Sequence, residues 1–240
     1  MWHYRRVAAE TQHRRKRDTS APRANASARA HAYTKERILD GSLGAGEVIS
    51  EGEIAEAIGT SRTPVREAFL RLECEGLLRL YPKRGALVVP ISHSEVESVM
   101  ETRLLIERFA LSKVIALGID LAAPLAQVIA RQRELRGGRD RREFVEADRQ
   151  MHRLIVAATG NEIILQLHDS MRDRQSRIGL IALARQDRRV DEIIEEHAAI
   201  AAALGAAEEQ RALALLDRHL HATLMLLRGP AYLRDFRIEG

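Results

Sequence analysis

A chain of 240 residues, 45% of them hydrophobic, can bury a sizeable core in one large domain or two ordinary ones; with aromatics at only 4%, leucine, isoleucine, valine and alanine must fill it. The formal net charge of +4 is confined to the first 30 residues, which hold eight Lys or Arg against two acids and leave 30 basic and 32 acidic residues elsewhere, so a basic isoelectric point does not by itself argue for a nucleic-acid partner. The single cysteine, Cys74, excludes an internal disulfide, no apolar run approaches the roughly 20 residues that span a bilayer, and residues 1–17 lack the apolar centre of a secretory signal. These features predict a soluble, cytoplasmic protein with no membrane partner.

In chain order, residues 1–28 have no apolar periodicity and read as a disordered basic arm, which either adds phosphate contacts or is an unstructured extension. A first helix is expected over about residues 31–40, with Tyr33, Ile38 and Leu39 available for packing, followed by a glycine-containing connector over 43–50. A short helix over 53–58, a turn at Gly59 and a second helix from Arg62 make a helix-turn-helix. Thr60 or Ser61 can cap that second helix, and Pro64 falls in its first turn, where a missing N–H costs nothing. Its apolar side is Val65, Phe69 and Leu72, with Cys74 expected to pack near its end, while Arg62, Thr63 and Arg66 point elsewhere and suit a DNA groove. Leu77–Tyr81 and Ala86–Val89 flank Pro82-Lys83-Arg84-Gly85 as two short strands joined by a charged turn, a wing that must dock on the helices to be stable.

Ser61-Arg62-Thr63-Pro64-Val65-Arg66-Glu67-Ala68, followed by Arg71-Leu72, Glu75-Gly76-Leu77 and Arg84-Gly85, resembles the winged-helix domain of the GntR family of bacterial transcription regulators over about sixty residues. The resemblance implies a double-stranded DNA operator read by Ser61, Arg62, Thr63 and Arg66 at the start of the second helix, with Lys83, Arg84 and Gly85 at the wing. One position departs from it: some relatives carry an arginine at the start of the first motif helix, where this chain has Gly52.

Pro90–His93 reads as a linker and Ser94 as a cap. Six helices then follow by period, at about 94–117, 121–136, 140–158, 162–185, 190–204 and 208–227, and predict an antiparallel six-helix bundle before a C-terminal tail over 229–240. The expected domains are therefore a DNA-binding domain over 29–90 and a helical effector-binding and dimerisation domain over 94–228.

Within the bundle, Asp148 and His152 share a face with Val145 and Ile155, His197 falls in a stripe with Ile193 and Ile200, and His219 adjoins Leu215, Leu216 and Leu220. Three imidazoles and a carboxylate from three helices suit a divalent transition metal such as zinc, nickel or manganese; taken singly, each is more often a hydrogen-bonded core residue than a ligand. His168 and His221 read as surface or supporting residues, and Arg172, Arg174 and Arg177 as a solvated face.

The residues Asp148-x-x-x-His152, Glu196-His197-Ala198-Ala199-Ile200 and Asp217-Arg218-His219-Leu220 resemble the FCD ligand-binding domain of the FadR-like branch of GntR regulators, whose metal-binding members place one aspartate and three histidines at these positions. The resemblance implies a metal held by Asp148, His152, His197 and His219. Six helices rather than seven would suggest the smaller, VanR-like subgroup. Arg103, in an Arg-x-x-x-Glu pattern with Glu107, matches a family feature and either binds a small carboxylate effector bidentately or pairs within its own helix. The combined reading is a homodimeric transcription regulator whose operator affinity is controlled by a small organic acid, with a metal-sensing regulator as the alternative. A metal-dependent enzyme is the weaker rival, because no nucleophile, general base or phosphate loop accompanies the histidines.

Overall fold

The computed structural model describes residues 20–138, 141–186 and 188–228, with side chains described from residue 25. The expectations for residues 1–19 and for the 229–240 tail lie outside the described residues. Two compact units emerge. One comprises the described residues up to Lys35 together with Val48–Leu87, and the other comprises Glu36–Glu47 and the chain from Val88 onward.

Helix α1 spans Ser20–Leu39, and its residues up to Lys35 belong to the first unit. It begins well before the expected residue 31, because the alanine-rich run from 20 to 30 propagates a helix that docks through Arg29, donating to the Ile58 carbonyl at 2.9 Å, and through His31 and Lys35 on Glu75. Residues 20–28 thus belong to a helix and not to a disordered arm. Helix α2 (Glu51–Ala57) starts at a capping box in which Ser50 Oγ accepts from the Glu53 N–H and Glu53 accepts from the Ser50 N–H. Gly59, at φ 65°, makes the turn. Helix α3 (Arg62–Cys74) buries Val65, Ala68, Phe69 and Leu72, and Cys74 is exposed at its last position instead of packed. The connector contributes an unforeseen strand β1 (Val48–Ile49), which pairs antiparallel with β3 (Gly85–Val88), while β2 (Leu78–Tyr81) lies on the other side of β3. The wing is therefore the outer part of a three-stranded sheet. Glu73 of α3 ties β2 down by accepting from the Leu80 N–H at 2.8 Å.

The second unit holds seven helices among the described residues: α4 His93–Ala116, α5 Ala122–Leu135, α6 Arg141–Ala158, α7 Glu162–Ser170, α8 Arg172–Arg185, α9 Arg189–Gly205 and α10 Glu209–Arg228. Ser92, not Ser94, caps α4 by accepting from the Glu95 N–H. The expected single helix over 162–185 breaks at Met171 (φ −89°, ψ 2°), which corrects six helices to seven and removes the basis for the VanR-like subgroup. No glycine or proline marks that break. Met171 and His168 are both buried there. Val99, Leu111, Met151, Ile178, Ile200 and Leu216 form the centre of a core built almost wholly of aliphatic side chains.

Candidate metal centre and nucleic-acid interface

Helix α6 brings Asp148 and His152 to one face, α9 supplies His197 and α10 supplies His219, and the four candidate ligand atoms lie within 4.8 Å of one another. His219 Nε2 is 3.2 Å from His152 Nε2 and 3.4 Å from His197 Nε2, while Asp148 Oδ1 is 3.5 Å from His197 Nε2. All three rings are buried.

Each imidazole is turned by an acceptor on its other nitrogen. His152 Nδ1 faces Glu107 Oε2 at 2.7 Å, His219 Nδ1 faces Glu196 Oε2 at 2.6 Å and His197 Nδ1 faces Gln132 Oε1 at 3.0 Å. Acceptors there place the protons on Nδ1, so three bare Nε2 lone pairs point at one another. Lone pairs at that spacing repel unless a positive centre stands between them. The donor set therefore fits a divalent cation bound by nitrogen and oxygen.

Two buried arginines brace the acceptors. Arg103 Nε donates to Glu107 Oε1 at 2.8 Å, and Arg189 donates to Glu196 Oε1 at 2.9 Å and to Thr223 Oγ1 at 3.2 Å. Burial would push Glu107 up, but the Arg103 guanidinium and His152 hold it well below the usual carboxylate range. Glu196 is likewise held below its ordinary value against its burial, by hydrogen bonds to His219 and Arg189. Burial, reinforced by the neighbouring histidines, keeps His197 well below the ordinary imidazole value, and burial also lowers His219 against the pull of Glu196.

Beside the cluster lies a cavity whose polar lining includes Arg103, Asp148, Gln175, His219 and Thr223, with Val145, Ile178 and Leu183 among its apolar walls. Gln175 Nε2 is buried there without a hydrogen-bond partner among the described residues. Arg103 thus reaches the cavity and also makes the intrahelical pair with Glu107.

In the first unit, Arg62, Arg66, Lys83, Arg84 and Gly85 line one cleft between the start of α3 and the wing. Ser61 and Thr63 are exposed at the same helix end, and Ser61, although at the N-cap, makes no side-chain capping bond, which leaves its hydroxyl free. At the tip Pro82 is followed by Lys83 at φ 63°, and the Arg84 N–H closes the turn on the Tyr81 carbonyl at 3.0 Å. Gly85, at φ 103°, has no room for a side chain, because a Cβ would strike the Ile49 carbonyl oxygen.

Reading the residues singly missed Gln132, Gln175, Glu196 and Arg189 as supports. Arg189 and Glu196 are seven apart and so share a helix face, a usable signal; Gln132 and Gln175 carry none. His168 proves fully buried, 3.5 Å from Glu107, and is a supporting residue, whereas His221 is exposed. Arg177 is buried and not solvated, unlike Arg172 and Arg174.

Residues 98–222, more than half of the chain, match the FCD domain family, and residues 26–88 match the bacterial regulatory proteins of the gntR family. The chain belongs to the GntR family. This GntR regulator is 30% identical over 187 residues to the probable D-xylose utilization operon transcriptional repressor of Paenarthrobacter nicotinovorans, covering 78% of this chain and 82% of that one. It is 26% identical over 151 residues to the gluconate operon transcriptional repressor of Bacillus licheniformis and spans 62% of that relative's length. A putative GntR transcriptional regulator from Rhodococcus sp. RHA1 has the same fold, with a TM-score of 0.70 at 22% identity over 85% of this chain and 99% of that one. The chain is thus a DNA-binding transcription regulator with an FCD domain, and not an enzyme. No helix among the described residues is long and apolar enough to cross a membrane.

Proposed function

We propose that this GntR regulator is a cytoplasmic homodimer whose operator affinity is set by a small organic acid bound in the cavity beside a resident divalent metal. The reading is carried by one observation: three Nε2 atoms and one carboxylate oxygen converge in a buried cluster, each imidazole being oriented by an acceptor behind it. Asp148, His152, His197 and His219 would hold the ion, which when bound supplies a Lewis-acidic anchor for an effector carboxylate. Arg103 presents charge to the same cavity, Gln175 offers an unpaired amide donor and Thr223 a hydroxyl, while the aliphatic walls exclude water and strengthen each polar contact. Zinc, nickel and manganese all suit three nitrogens and an oxygen. At the other end of the chain, Ser61, Arg62, Thr63 and Arg66 read operator bases and Lys83, Arg84 and the tight turn at Gly85 position the wing on the sugar-phosphate backbone.

Because one relative is named for a gluconate operon, sugar acids are the natural first panel. The test measures metal content and effector-dependent operator binding for the wild type, His197→Ala and His219→Ala. Retained metal with acid-dependent binding in the wild type, both lost in the variants, is the expected result. Metal-free wild type that takes up none, or variants that respond normally to the acid, would reduce the cluster to a polar core. A regulator that senses the metal itself would respond to metal titration with no acid present.

A further inference from the structure

We propose that α8 is a lever that passes the state of the cavity to the linker ahead of α4, with Arg177 as its grip. The inference rests on the effector reading above and gives it a route of control. Arg177 is only 7% exposed and forms no ion pair among the described residues; its guanidinium donates instead to the Val89 carbonyl at 2.5 Å. Burying a guanidinium with no opposite charge beside it is costly, and an aliphatic side chain would fill the same volume without that cost. What the contact holds is the linker. Val89 follows the last residue of β3 directly, and Pro90 after it has no N–H with which to fix the segment.

Arg174, three residues earlier on α8, donates to Glu95 Oε1 at 3.1 Å in the first turn of α4, the helix that Ser92 caps. One face of α8 therefore holds both ends of the linker. The neighbouring face of the same helix, through Gln175, Ile178, Gly179 and Ala182, is a wall of the cavity, and Val145 and Asp148 of α6 stand among the residues opposite. Gln175 and Arg177 are two residues apart on one helix, so a group that enters the cavity and parts α8 from α6 also draws the guanidinium off Val89. The contact has no slack to absorb such a group: a Cβ at Gly179 would lie 3.0 and 3.2 Å from the two Val145 methyls. A released linker regains backbone freedom that must be lost again when the chain binds DNA. An acid in the cavity thereby weakens operator binding.

A single methyl group at position 179 imitates the entering acid, so the test needs neither metal nor effector. Affinity is measured for a DNA duplex that the wild-type full chain selects from random sequence. Gly179→Ala should lower it by about five- to thirtyfold, the equivalent of freeing one residue's backbone, and Val145→Ala in the same chain should restore it. Arg177→Met should show a similar loss, and adding Gly179→Ala to it should cost nothing further. Unchanged affinity in Gly179→Ala or in Arg177→Met, or losses that multiply in the double variant, would overturn the lever. If Arg177→Met does not fold, hydrogen exchange of the Val89, Ile91 and Ser92 amides decides: it should quicken in Gly179→Ala and recover with Val145→Ala, and unaltered exchange would overturn the grip on the linker. A wild type that takes up no metal would defeat the effector reading and leave these measurements intact. Metal and acid bound normally beside unchanged affinity in Gly179→Ala would defeat the lever alone.

Discussion

The guanidinium of Arg62 lies over the backbone of Gly52, so close that a Cβ there would be 3.3 Å from its Nη2. Gly52 therefore gives Arg62 its resting place in the cleft between α3 and the wing. Gly52→Leu should displace Arg62 and weaken operator binding about as much as Arg62→Ala, and a double-mutant cycle should find the two non-additive; additive losses would show that they act separately. Arg66, 74% exposed and only loosely paired with Glu51 at 4.0 Å, is free to reach a base. Arg66→Ala should cost about 1–3 kcal/mol of operator affinity if the contact is bidentate, and unchanged affinity and specificity in both arginine variants would remove these residues from recognition. His197 makes the residue-scale prediction for pH. Its folded value lies below the ordinary 6.5, so between the two values the unfolded chain binds the extra proton. Stability is then complete above pH 6.5 and falls as the pH drops below it. Thermal unfolding of chelator-treated protein should show this decline, and a flat profile from neutral to mildly acid pH would contradict the assigned neutral ring.

At the scale of elements, two glycines set distances that no side-chain pattern announces. Gly179 lets α8 close on α6 beside the candidate metal centre, where a Cβ would sit 3.0 Å from a Val145 methyl. Gly179→Ala should overpack this contact and cost about 1–3 kcal/mol, read as a lowered Tm, and Val145→Ala in the same chain should recover much of the loss. Gly85 lets β3 pass the Ile49 carbonyl at the base of the wing. The helices themselves were legible: the periods over residues 94–117, 121–136 and 140–158 foretold α4, α5 and α6 within a few residues. The break at Met171 and strand β1 were not, because both are imposed by packing partners distant in sequence and neither carries a glycine, proline or alternating pattern of its own.

For the whole molecule, one short recognition helix reads too few base pairs for useful specificity, so we expect two chains on a near-palindromic operator. Saturation at one chain per operator would refute this. Metal binding to the folded chain alone should also stabilise it: at a free metal concentration of about 100 times Kd the gain is about 2.7 kcal/mol, so chelation should lower the Tm of the wild type and leave His219→Ala unaffected. Equal Tm shifts in the two proteins would place the metal elsewhere.

What the amino-acid sequence determined by itself was local or periodic. The Thr-Pro-Val-Arg helix start, the charged wing turn and the helical stripes carrying Asp148, His152, His197 and His219 all follow from neighbours within about one turn or strand, where residue type decides the conformation. Only the tertiary structure decided which acceptors stand behind those histidines. Glu107, Gln132 and Glu196 come from three helices separated in sequence, and Gln175 reaches the cavity only because Gly179 lets α8 approach α6. Such partners are chosen by the packing of helices against one another, and a contact between residues 65 positions apart, as between His197 and Gln132, leaves no trace in either residue's own neighbourhood.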